Sequence, residues 1–516
     1  MILANRGDPP AGFDTLRTSS IALHHVAGSI FGPGNLVRRC RANVYLICPD
    51  LAERWVANQG FTEWTFTIRD DVLWHDGTPF TAEDAKFWFE LAQFGAEVDE
   101  RIRAPAYFKG ELADIERVEV LANHRVRVTL AERSVHFMDI LANPRLKIAH
   151  PEHLMEPHLR KGEMSVSPMD IRLVGTGPFV FLDYDRGTRI RVRRWDGYWE
   201  RDENGTSLPR LGGIDFIIMP DPIAMDVAFR TGRLDGGARG QGHYLTVERK
   251  RGYDRDLRDE VVYGEMEGGM FRLAFNVLKE GPWQDPDVRR AMSLWIDKDS
   301  AIPVSLGGYA WTAPSLGPSN HFKGTRFINW PRFDGGPLEQ KRVEAKRLMV
   351  SAGYADGFEM GHLCRPRLLP QCEYLQAQLS GLNVDLKLQI ADSAEWNRGR
   401  VSLDYDSQEG ALTHSLIPEG TESVFGIYSE NPDSYSKHED PQIDDLFRRL
   451  KSATIDGDRV FAWRELEHYL YVEQSYIVPI AEIIQVVPYR SYVKGLVIPP
   501  EDGHTHTDFA TVWLER

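Results

Sequence analysis

The strongest constraint on the fold comes from residues 64–94, which have the sequence WTFTIRDDVLWHDGTPFTAEDAKFWFELAQF. The first part alternates and is rich in Trp, Phe, Thr, Ile and Val, so it predicts a strand. The Asp-Gly dipeptide ending at Gly77 predicts a turn, because glycine supplies the positive φ of tight turns. Thr81 and Asp84 have the spacing of a capping box at a helix start. Strand, turn, cap and helix therefore follow one another directly.

The same segment invites a catalytic interpretation of the adjacent His75 and Asp76. Neighbouring residues on a turn rarely point at one substrate, and acid–base pairs are judged first by geometry. The sequence also lacks G-x-S-x-G, H-E-x-x-H and a phosphate loop. We therefore assign no catalytic residue and expect a protein that is not an enzyme and needs no cofactor.

Length and charge narrow the class of protein. The chain has 516 residues, which predicts two to four domains, and a net charge of −15, which argues against a nucleic-acid binder. The most apolar segment, YIVPIAEIIQVVPY, is short and is broken by two prolines and a glutamate, so no membrane span is expected. The first residues do not resemble a secretory signal. The protein is then either cytosolic or represented by its mature chain.

Four cysteines form two pairs with the same spacing, Cys40 with Cys48 and Cys364 with Cys372. Neither spacing is the C-x2-C of a zinc site. In an oxidising compartment each pair could close a short loop, and buried free thiols are the alternative. The cysteines alone leave both alternatives open.

A second capped helix is predicted within residues 271–300, where Asp285 is the expected N-cap and Pro286 the first-turn residue. Five apolar residues recur there at i, i+3, i+4, i+7 and i+8: Val288, Ala291, Met292, Trp295 and Ile296. This pattern indicates one buried helix face. Trp295 is therefore expected in the core rather than in a ligand platform.

The segment HPEHLMEPH, residues 150–158, is a candidate metal site because His150, Glu152, His153 and His158 could converge. Two prolines break the segment, and a surface loop with a helix start is the preferred interpretation. We assign no metal site.

The segment around HDG resembles YxFxLRxxVxFHDGxPFTAxDVxFxxx, a signature of the large solute-binding proteins of ABC importers. Six further segments resemble motifs of that family in the right order: PDLAERW (49–55), VGTGPFVFLDYDRGTRIRVRRWDGYW (174–199), IDFIIMPDPIAMDVAFRTGRLDGG (214–237), FRLAFNVLKEGPWQDPDVRRAMSLWIDKDS (271–300), KRVEAKRLMVSAGYADGF (341–358) and NPDSYSKHEDPQIDDLFRRL (431–450). The resemblance spans most of residues 49–490. On these motifs the chain is identified as a family 5 extracellular solute-binding protein of the oligopeptide, dipeptide and nickel class.

The resemblance implies an α/β, periplasmic-binding-protein-like fold of type II, with two hinged lobes and an extra α/β domain inserted in lobe one. Carried onto this chain, the units have these boundaries: lobe one 1–37, 171–265 and 478–516; inserted domain 38–170; lobe two 266–477. The chain would cross between the lobes twice. Two crossing strands permit hinge closure around a solute.

The resemblance also implies binding residues. The segment LCRPRLLPQCEYLQAQL, residues 363–379, is similar to one in which an Arg before Pro holds the ligand's terminal carboxylate, and Arg365 is the matching residue. Pairing of Arg365 with a lobe carboxylate is the alternative. Arg367 in the same segment is a further candidate. A disulfide between the flanking cysteines would stiffen this loop.

One departure from the family concerns the ligand. Peptide binders carry G-W-x-x-D after YD, where the Asp holds the peptide ammonium. In YDSQEGALTHSLIPEG, residues 405–420, Ala411 takes the Trp position and His414 the Asp position. A neutral imidazole cannot replace a carboxylate as a charged anchor, unless Glu409 or Glu419 compensates. The departure argues against ordinary peptides and leaves an opine-like acid or a sugar conjugate.

Three weaker candidates complete the expected binding site. Ser20 and His24 lie in TLRTSSIALHH, residues 15–25, which matches an early segment at the lobe-one cleft, although helix capping by the Ser/Thr run is an equal alternative. Trp311 lies in GGYAWTAPSLGP, a Gly/Pro-rich loop where an aromatic ring could stack on a solute.

Together these features predict the substrate-binding component of an ABC importer, a periplasmic monomer that captures a small polar solute and delivers it to the transmembrane permease subunits. A carbohydrate-active hydrolase is the alternative, because 76 acidic residues and 13 Trp would permit paired carboxylates and aromatic subsites. No spacing of the acids supports that alternative.

Overall fold

The computed structural model describes residues 1–18, 20–42, 46–93, 112–122, 124–163, 166–237, 245–312, 336–412, 437–453, 456–497 and 508–516. Strands and helices are mixed throughout these residues, which confirms the α/β class. No helix within the described ranges is long and apolar enough to cross a membrane.

The strands are β1 (Ile2–Asn5), β2 (Val37–Arg39), β3 (Ile47–Pro49), β4 (Ala52–Ala57), β5 (Glu63–Ile68), β6 (Ile115–Leu121), β7 (Arg125–Leu130), β8 (Phe179–Asp185), β9 (Arg189–Arg194), β10 (Gly213–Ile218), β11 (Val261–Phe275), β12 (Ala310–Thr312), β13 (Phe358–Cys364), β14 (Val384–Ile390), β15 (Ser407–Leu412), β16 (Ile477–Arg490), β17 (Val493–Lys494) and β18 (Trp513–Leu514).

The α-helices are α1 (Ile21–Phe31), α2 (Ala82–Gln93), α3 (Phe137–Leu141), α4 (Glu152–Leu159), α5 (Pro168–Ile171), α6 (Pro222–Arg230), α7 (Val247–Asp256), α8 (Pro286–Trp295), α9 (Lys298–Ser305), α10 (Leu338–Ser351), α11 (Leu369–Leu379), α12 (Ser393–Ser402), α13 (Pro441–Ser452) and α14 (Asp456–His468). Short 3-10 turns lie at Ala11–Phe13, Arg258–Glu260, Pro282–Gln284, Pro366–Leu368 and Ser380–Leu382, and a π-helical turn at Tyr469–Glu473.

The local capping predictions are confirmed. The Thr81 backbone N–H donates to the Asp84 carboxylate at 2.9 Å, and the Asp84 N–H approaches the Thr81 hydroxyl at 3.4 Å. Gly77 has φ +92°, the left-handed conformation that the turn requires. Asp285 caps α8 by accepting from the Asp287 N–H at 2.8 Å. Short-range sequence signals therefore determine where these elements begin.

Lobe one is built on the four-stranded sheet β1-β10-β9-β8, in which β1 pairs in parallel with β10. Helix α1 packs against this sheet. Leu3 and Phe509, which are near the two chain ends, share one hydrophobic core with Phe216 of β10. The N- and C-terminal segments therefore belong to one structural unit.

A separate antiparallel sheet, β4-β5-β7-β6, carries α2 on one face. Its core contains the fully buried Trp74, Phe66 and Trp88. The HDG segment lies in the connection between β5 and α2, where it serves as scaffold.

Lobe two is built on the six-stranded sheet β12-β16-β11-β15-β13-β14. Helices α8, α9, α10 and α11 share one hydrophobic core with it, and α13 and α14 share another. All five residues of the predicted α8 stripe are buried, and Trp295 is 9% exposed, so its core position is confirmed. The sheet is covered on both faces.

The two lobes are joined by a ribbon of two long antiparallel strands, β11 and β16, paired from Val261 with Arg490 to Ala274 with Ile477. The ribbon contributes Tyr489 to the lobe-one core and Leu273 to the lobe-two core. Its register shifts between Glu267 and Gly269 and again after Phe271. The predicted boundaries at 265/266 and 477/478 lie in this ribbon and stay predictions.

Candidate functional site

The carboxyl ends of three strands meet at one edge of the lobe-two sheet, where β13 pairs in parallel with both β14 and β15. Arg365 is the first residue after β13, and Glu409 lies in β15. Open α/β sheets bind ligands outside the carboxyl ends of their strands. This edge is therefore the candidate binding site of lobe two.

Arg365 and Glu409 form an ion pair at this edge. The Glu409 carboxylate accepts from the Arg365 backbone N–H at 2.9 Å, from Nε at 2.8 Å and from Nη2 at 3.0 Å. The Glu409 side chain is 1% exposed and the Arg365 side chain is 14% exposed. The alternative in which Arg365 pairs with a lobe carboxylate thus describes this structure, and it leaves the guanidinium as the member nearer to solvent.

An aromatic ring supports the guanidinium from α12. The Arg365 Cζ atom lies 4.1 Å from the centre of the Trp396 ring, and Trp396 is 4% exposed. A guanidinium over an indole face is attracted by the ring quadrupole. The orientation of Arg365 is thus set both by an anion and by a π face.

The structure settles the state of the cysteines, because both pairs are disulfides. The Cys364–Cys372 bond ties the last residue of β13 to the first turn of α11, and both residues are fully buried. Arg365 directly follows the first cysteine, so the disulfide closes the loop that carries it.

A buried histidine, His362, lies beneath this edge. The Ser407 hydroxyl donates to the Gly361 carbonyl at 3.0 Å and lies 2.9 Å from His362 Nδ1, so the imidazole donates through Nδ1–H. Burial lowers the pKa of His362 to about 4, although the nearby Glu409 charge acts in the opposite direction. His362 is therefore neutral at neutral pH.

The corresponding edge of lobe one holds two of the predicted residues. Strand β1 ends at Asn5, and Ser20 is the N-cap residue of α1. His24 is 1% exposed and its Nε2 lies 3.1 Å from the Thr18 carbonyl oxygen. Burial, together with the charges of Arg145 and Lys147, lowers the pKa of His24 to about 3. His24 is thus a buried neutral group close to the segment that precedes α1.

Three further predicted residues are placed in part or lie outside the described residues. Trp311 was expected in a loop, and this was wrong: its backbone lies in β12 and pairs with Glu482 of β16. The backbone of Arg367 lies in the 3-10 turn after Arg365. His414 lies outside the described residues, so its role stays a prediction.

The histidines of the candidate metal site, residues 150–158, do not converge. His150, His153 and His158 each contact a different acid, at 2.9, 2.9 and 2.5 Å: Asp14, Asp76 and Glu163, respectively. Within the described ranges, no group of three or more His, Cys, Asp or Glu side chains is arranged to hold a metal ion.

His75 and Asp76 serve different contacts, as the structural interpretation predicts. His75 accepts from the Gly175 N–H at 3.2 Å and donates to the Gly177 carbonyl at 2.9 Å, whereas Asp76 faces His153. Burial lowers the pKa of His75 to about 4. This histidine joins the HDG turn to the GTGP turn of the next unit.

A second Arg–Glu cluster lies beside the other disulfide. Glu200 accepts from Arg38 at 2.5 and 3.1 Å and from Arg41 at 2.6 and 2.8 Å, while Arg41 Nε donates to Asp508 at 2.5 Å. Burial works to raise the pKa of Glu200, but hydrogen bonds from the two arginines hold it below its ordinary value. Burial raises the pKa of the neighbouring Asp50 to about 7. This cluster connects an early segment of the chain to its last described segment.

Sequence reasoning did not single out Trp396, and it assigned Glu409 to a ligand ammonium rather than to Arg365. The Arg365–Glu409 pair spans 44 residues along the chain, so no local spacing reveals it. The one available signal is the strand pattern of β15, which lies beside β13 and contains Glu409 as its third residue.

Comparisons with known proteins agree with this geometry. Residues 47–432 match the family model described as bacterial extracellular solute-binding proteins, family 5 middle. Di/tripeptide-binding protein 1 of Pseudomonas aeruginosa UCBPP-PA14 is 24% identical, covering 97% of this chain and 92% of the relative.

Two solved structures share the fold. The PBP AgaA in complex with agropinic acid, from A. tumefaciens R10, has a TM-score of 0.81 and 21% identity, with coverage of 100% of this chain and 99% of that one. The periplasmic binding protein DppA of Helicobacter pylori, in complex with the peptide STSA, has a TM-score of 0.82 and 19% identity, with coverage of 100% and 98%. Both likenesses concern the fold.

Proposed function

Because the chain belongs to the bacterial extracellular solute-binding proteins of family 5, we propose that it captures a small acidic solute between its lobes. Members of this family are substrate-binding components of ABC importers and not enzymes, so the hydrolase alternative has no support. The bound solute leaves unchanged and passes to the transmembrane subunits of an importer.

The observation that carries this proposal is the position of Arg365. Its guanidinium lies at the carboxyl edge of parallel strands, held by a disulfide-closed loop, by Glu409 and by the Trp396 ring. A guanidinium offers two donor edges, each matched to the two oxygens of a carboxylate. Glu409 occupies the Nε edge. We assign the solvent-exposed part of the Arg365 guanidinium to the acid group of the solute.

The class of solute follows from the charge at this site. Glu409 is buried against Arg365, and the family's ammonium-binding Asp corresponds to His414. The described part of the site therefore supports an acid anchor more strongly than an ammonium anchor. A solute with a carboxylate and a blocked or secondary amine, as in an opine-like acid, fits this better than an ordinary peptide. The complex of the structural neighbour AgaA with agropinic acid also supports an acidic solute.

The proposed setting is the periplasm or the outer face of the membrane, in line with the extracellular family description. The partners are the solute and the ABC permease, and the binding protein acts as a monomer. Both disulfides are compatible with an oxidising compartment.

The test is a thermal-shift screen with matched pairs of compounds, each a free acid and its carboxamide, across N-substituted amino acids and dipeptides. A ligand that binds only the folded state raises the melting temperature in proportion to RT ln(1 + [L]/Kd). We expect acids to shift the melting temperature and amides not to, with each acid recovered intact. Equal shifts for acids and amides, or a chemically altered compound, would contradict the proposal.

A further inference from the structure

We propose that Glu409 is a positioning residue for solute capture, the counter-ion that holds Arg365 at the carboxyl edge and does not touch the solute. This inference rests on the proposed function. It replaces the role that the sequence suggested for Glu409, as a substitute anchor for a ligand ammonium. The argument depends on three features of the pair: its contacts, its burial and its geometry.

Glu409 contacts both ends of Arg365. Three donors of Arg365, namely its backbone N–H, Nε and Nη2, reach the Glu409 carboxylate at 2.8 to 3.0 Å. The backbone bond fixes where the side chain begins, and the two guanidinium bonds fix where it ends. A charge-assisted, two-pronged contact of this kind determines direction as well as energy. Glu409 therefore sets the direction in which Arg365 points.

Burial separates the roles of the two partners. Glu409 is 1% exposed, whereas the Arg365 side chain is 14% exposed. A buried charge that loses its partner is strongly destabilising. Loss of the pair would therefore be costly for the buried Glu409, and the guanidinium is the member that can meet a solute.

Geometry then restricts how the solute approaches. Glu409 takes one donor edge, and the Trp396 ring covers one face of the guanidinium at 4.1 Å. In this proposal an incoming carboxylate meets the solvent-exposed part of the guanidinium. Arg365 is then ordered before the solute arrives, so the entropic cost of ordering it is not added to binding.

The experiment compares R365Q, E409Q and the double variant R365Q/E409Q, with E373Q as the matched control on the exposed side of α11. The probe is the small-molecule extract released from denatured, natively purified wild-type protein. Melting temperatures are measured without the extract and along an extract dilution series, which gives relative affinities.

We expect each single variant to melt lower than wild type and the double variant to melt higher than either single variant, since it removes both charges of the pair. E409Q should weaken affinity about 2- to 10-fold, the cost of ordering one long side chain on binding. R365Q and the double variant should lose the shift, and E373Q should match wild type.

Two affinity results would overturn the inference. An E409Q affinity equal to wild type would give Glu409 no positioning role, and a loss as complete as that of R365Q would make it a solute anchor. Should E409Q fail to fold, E409D keeps the charge on a shorter stem and should show a lower melting temperature with a partly retained shift. An E409D that loses the shift completely would again make Glu409 a solute anchor.

The pairing can be judged separately from the proposed function. An extract that shifts no protein, wild type included, would contradict the proposed function. The melting temperatures without extract still decide on the pair in that case, because additive losses in the double variant would overturn it and recovery would support it.

Discussion

The two disulfide loops of this protein have the same construction and different uses. Each spans nine residues and begins with Cys-Arg, CRANVYLIC from Cys40 and CRPRLLPQC from Cys364. In each, the arginine after the first cysteine pairs with a buried glutamate: Arg41 with Glu200, and Arg365 with Glu409. The shared device is a covalently closed loop that presents one guanidinium.

The surroundings decide what the guanidinium does. Glu200 also binds Arg38 and accepts from the Tyr198 hydroxyl at 3.1 Å, while Arg41 additionally reaches Asp508. That cluster joins distant segments of the chain and is a structural staple. Arg365 instead stands at the carboxyl edge of parallel strands, where an open sheet binds its ligand. Glu409 and the indole ring of Trp396 are among the contacts that position it there.

The largest expected loss of stability comes from removing the Glu200 charge from the cluster with Arg38 and Arg41. In E200Q the guanidinium groups of Arg38 and Arg41, whose side chains are 13% and 21% exposed, lose their shared buried counter-ion. The free energy of unfolding should fall by about 3–5 kcal/mol, more than in E409Q, which affects one guanidinium. Chemical denaturation measures both, with E203Q at an exposed site as the control. A smaller loss in E200Q than in E409Q would contradict the comparison.

Removing the disulfides should separate stability from binding. C40A/C48A and C364A/C372A open loops with the same sequence separation, so each should lower the free energy of unfolding by about 2–3 kcal/mol. Only C364A/C372A should also weaken solute affinity, because Arg365 lies in that loop. Equal effects of the two double variants on affinity would show that neither loop is special to the site.

The staple should also respond to pH through Asp50. Its pKa is raised to about 7 by burial, from an ordinary value of 3.8, so the folded state holds a proton that the unfolded state releases. This contribution to stability is present at low pH and is lost as pH rises from about 4 to about 7, by at most about 1.4 kcal/mol per pH unit. D50N should therefore gain stability relative to wild type over that range in denaturation at several pH values. Parallel stability curves for the two proteins would refute this.

The smallest effect is expected at the ring beneath Arg365. W396F retains a π face but a weaker one, so solute affinity should fall by a factor of about 2–5, or about 0.5–1 kcal/mol. Trp199 offers a matched control, because the Arg69 Cζ atom lies at the same 4.1 Å from its ring. W199F should leave affinity unchanged in the same titration. A drop of similar size in W199F would assign the loss to general destabilisation.

Much of the scaffold could be predicted because its signals are local. The capping box at Thr81, the N-cap at Asp285 and the buried stripe containing Trp295 depend on residues within a few positions of one another. The family resemblance directed attention to Arg365. The ordered motifs also identified the family, as the match over residues 47–432 shows.

The rest of the site depends on contacts that no local pattern encodes. Glu409 and Trp396 reach Arg365 from other elements, across tens of residues. Trp311 lies in a strand because β16 provides an edge for pairing, although its Gly- and Pro-rich sequence predicts a loop. Tertiary packing therefore determined these positions against weak local signals.

The central claim is that Arg365 holds the acid group of a solute that the protein binds and releases unchanged. Mass spectrometry of small molecules released by denaturing natively purified protein tests it most directly, comparing wild type with R365Q/E409Q, which removes both charges of the pair. We predict that wild type releases an acidic solute in near-stoichiometric amount and that the double variant releases almost none. Equal release of that solute from both proteins would contradict the account.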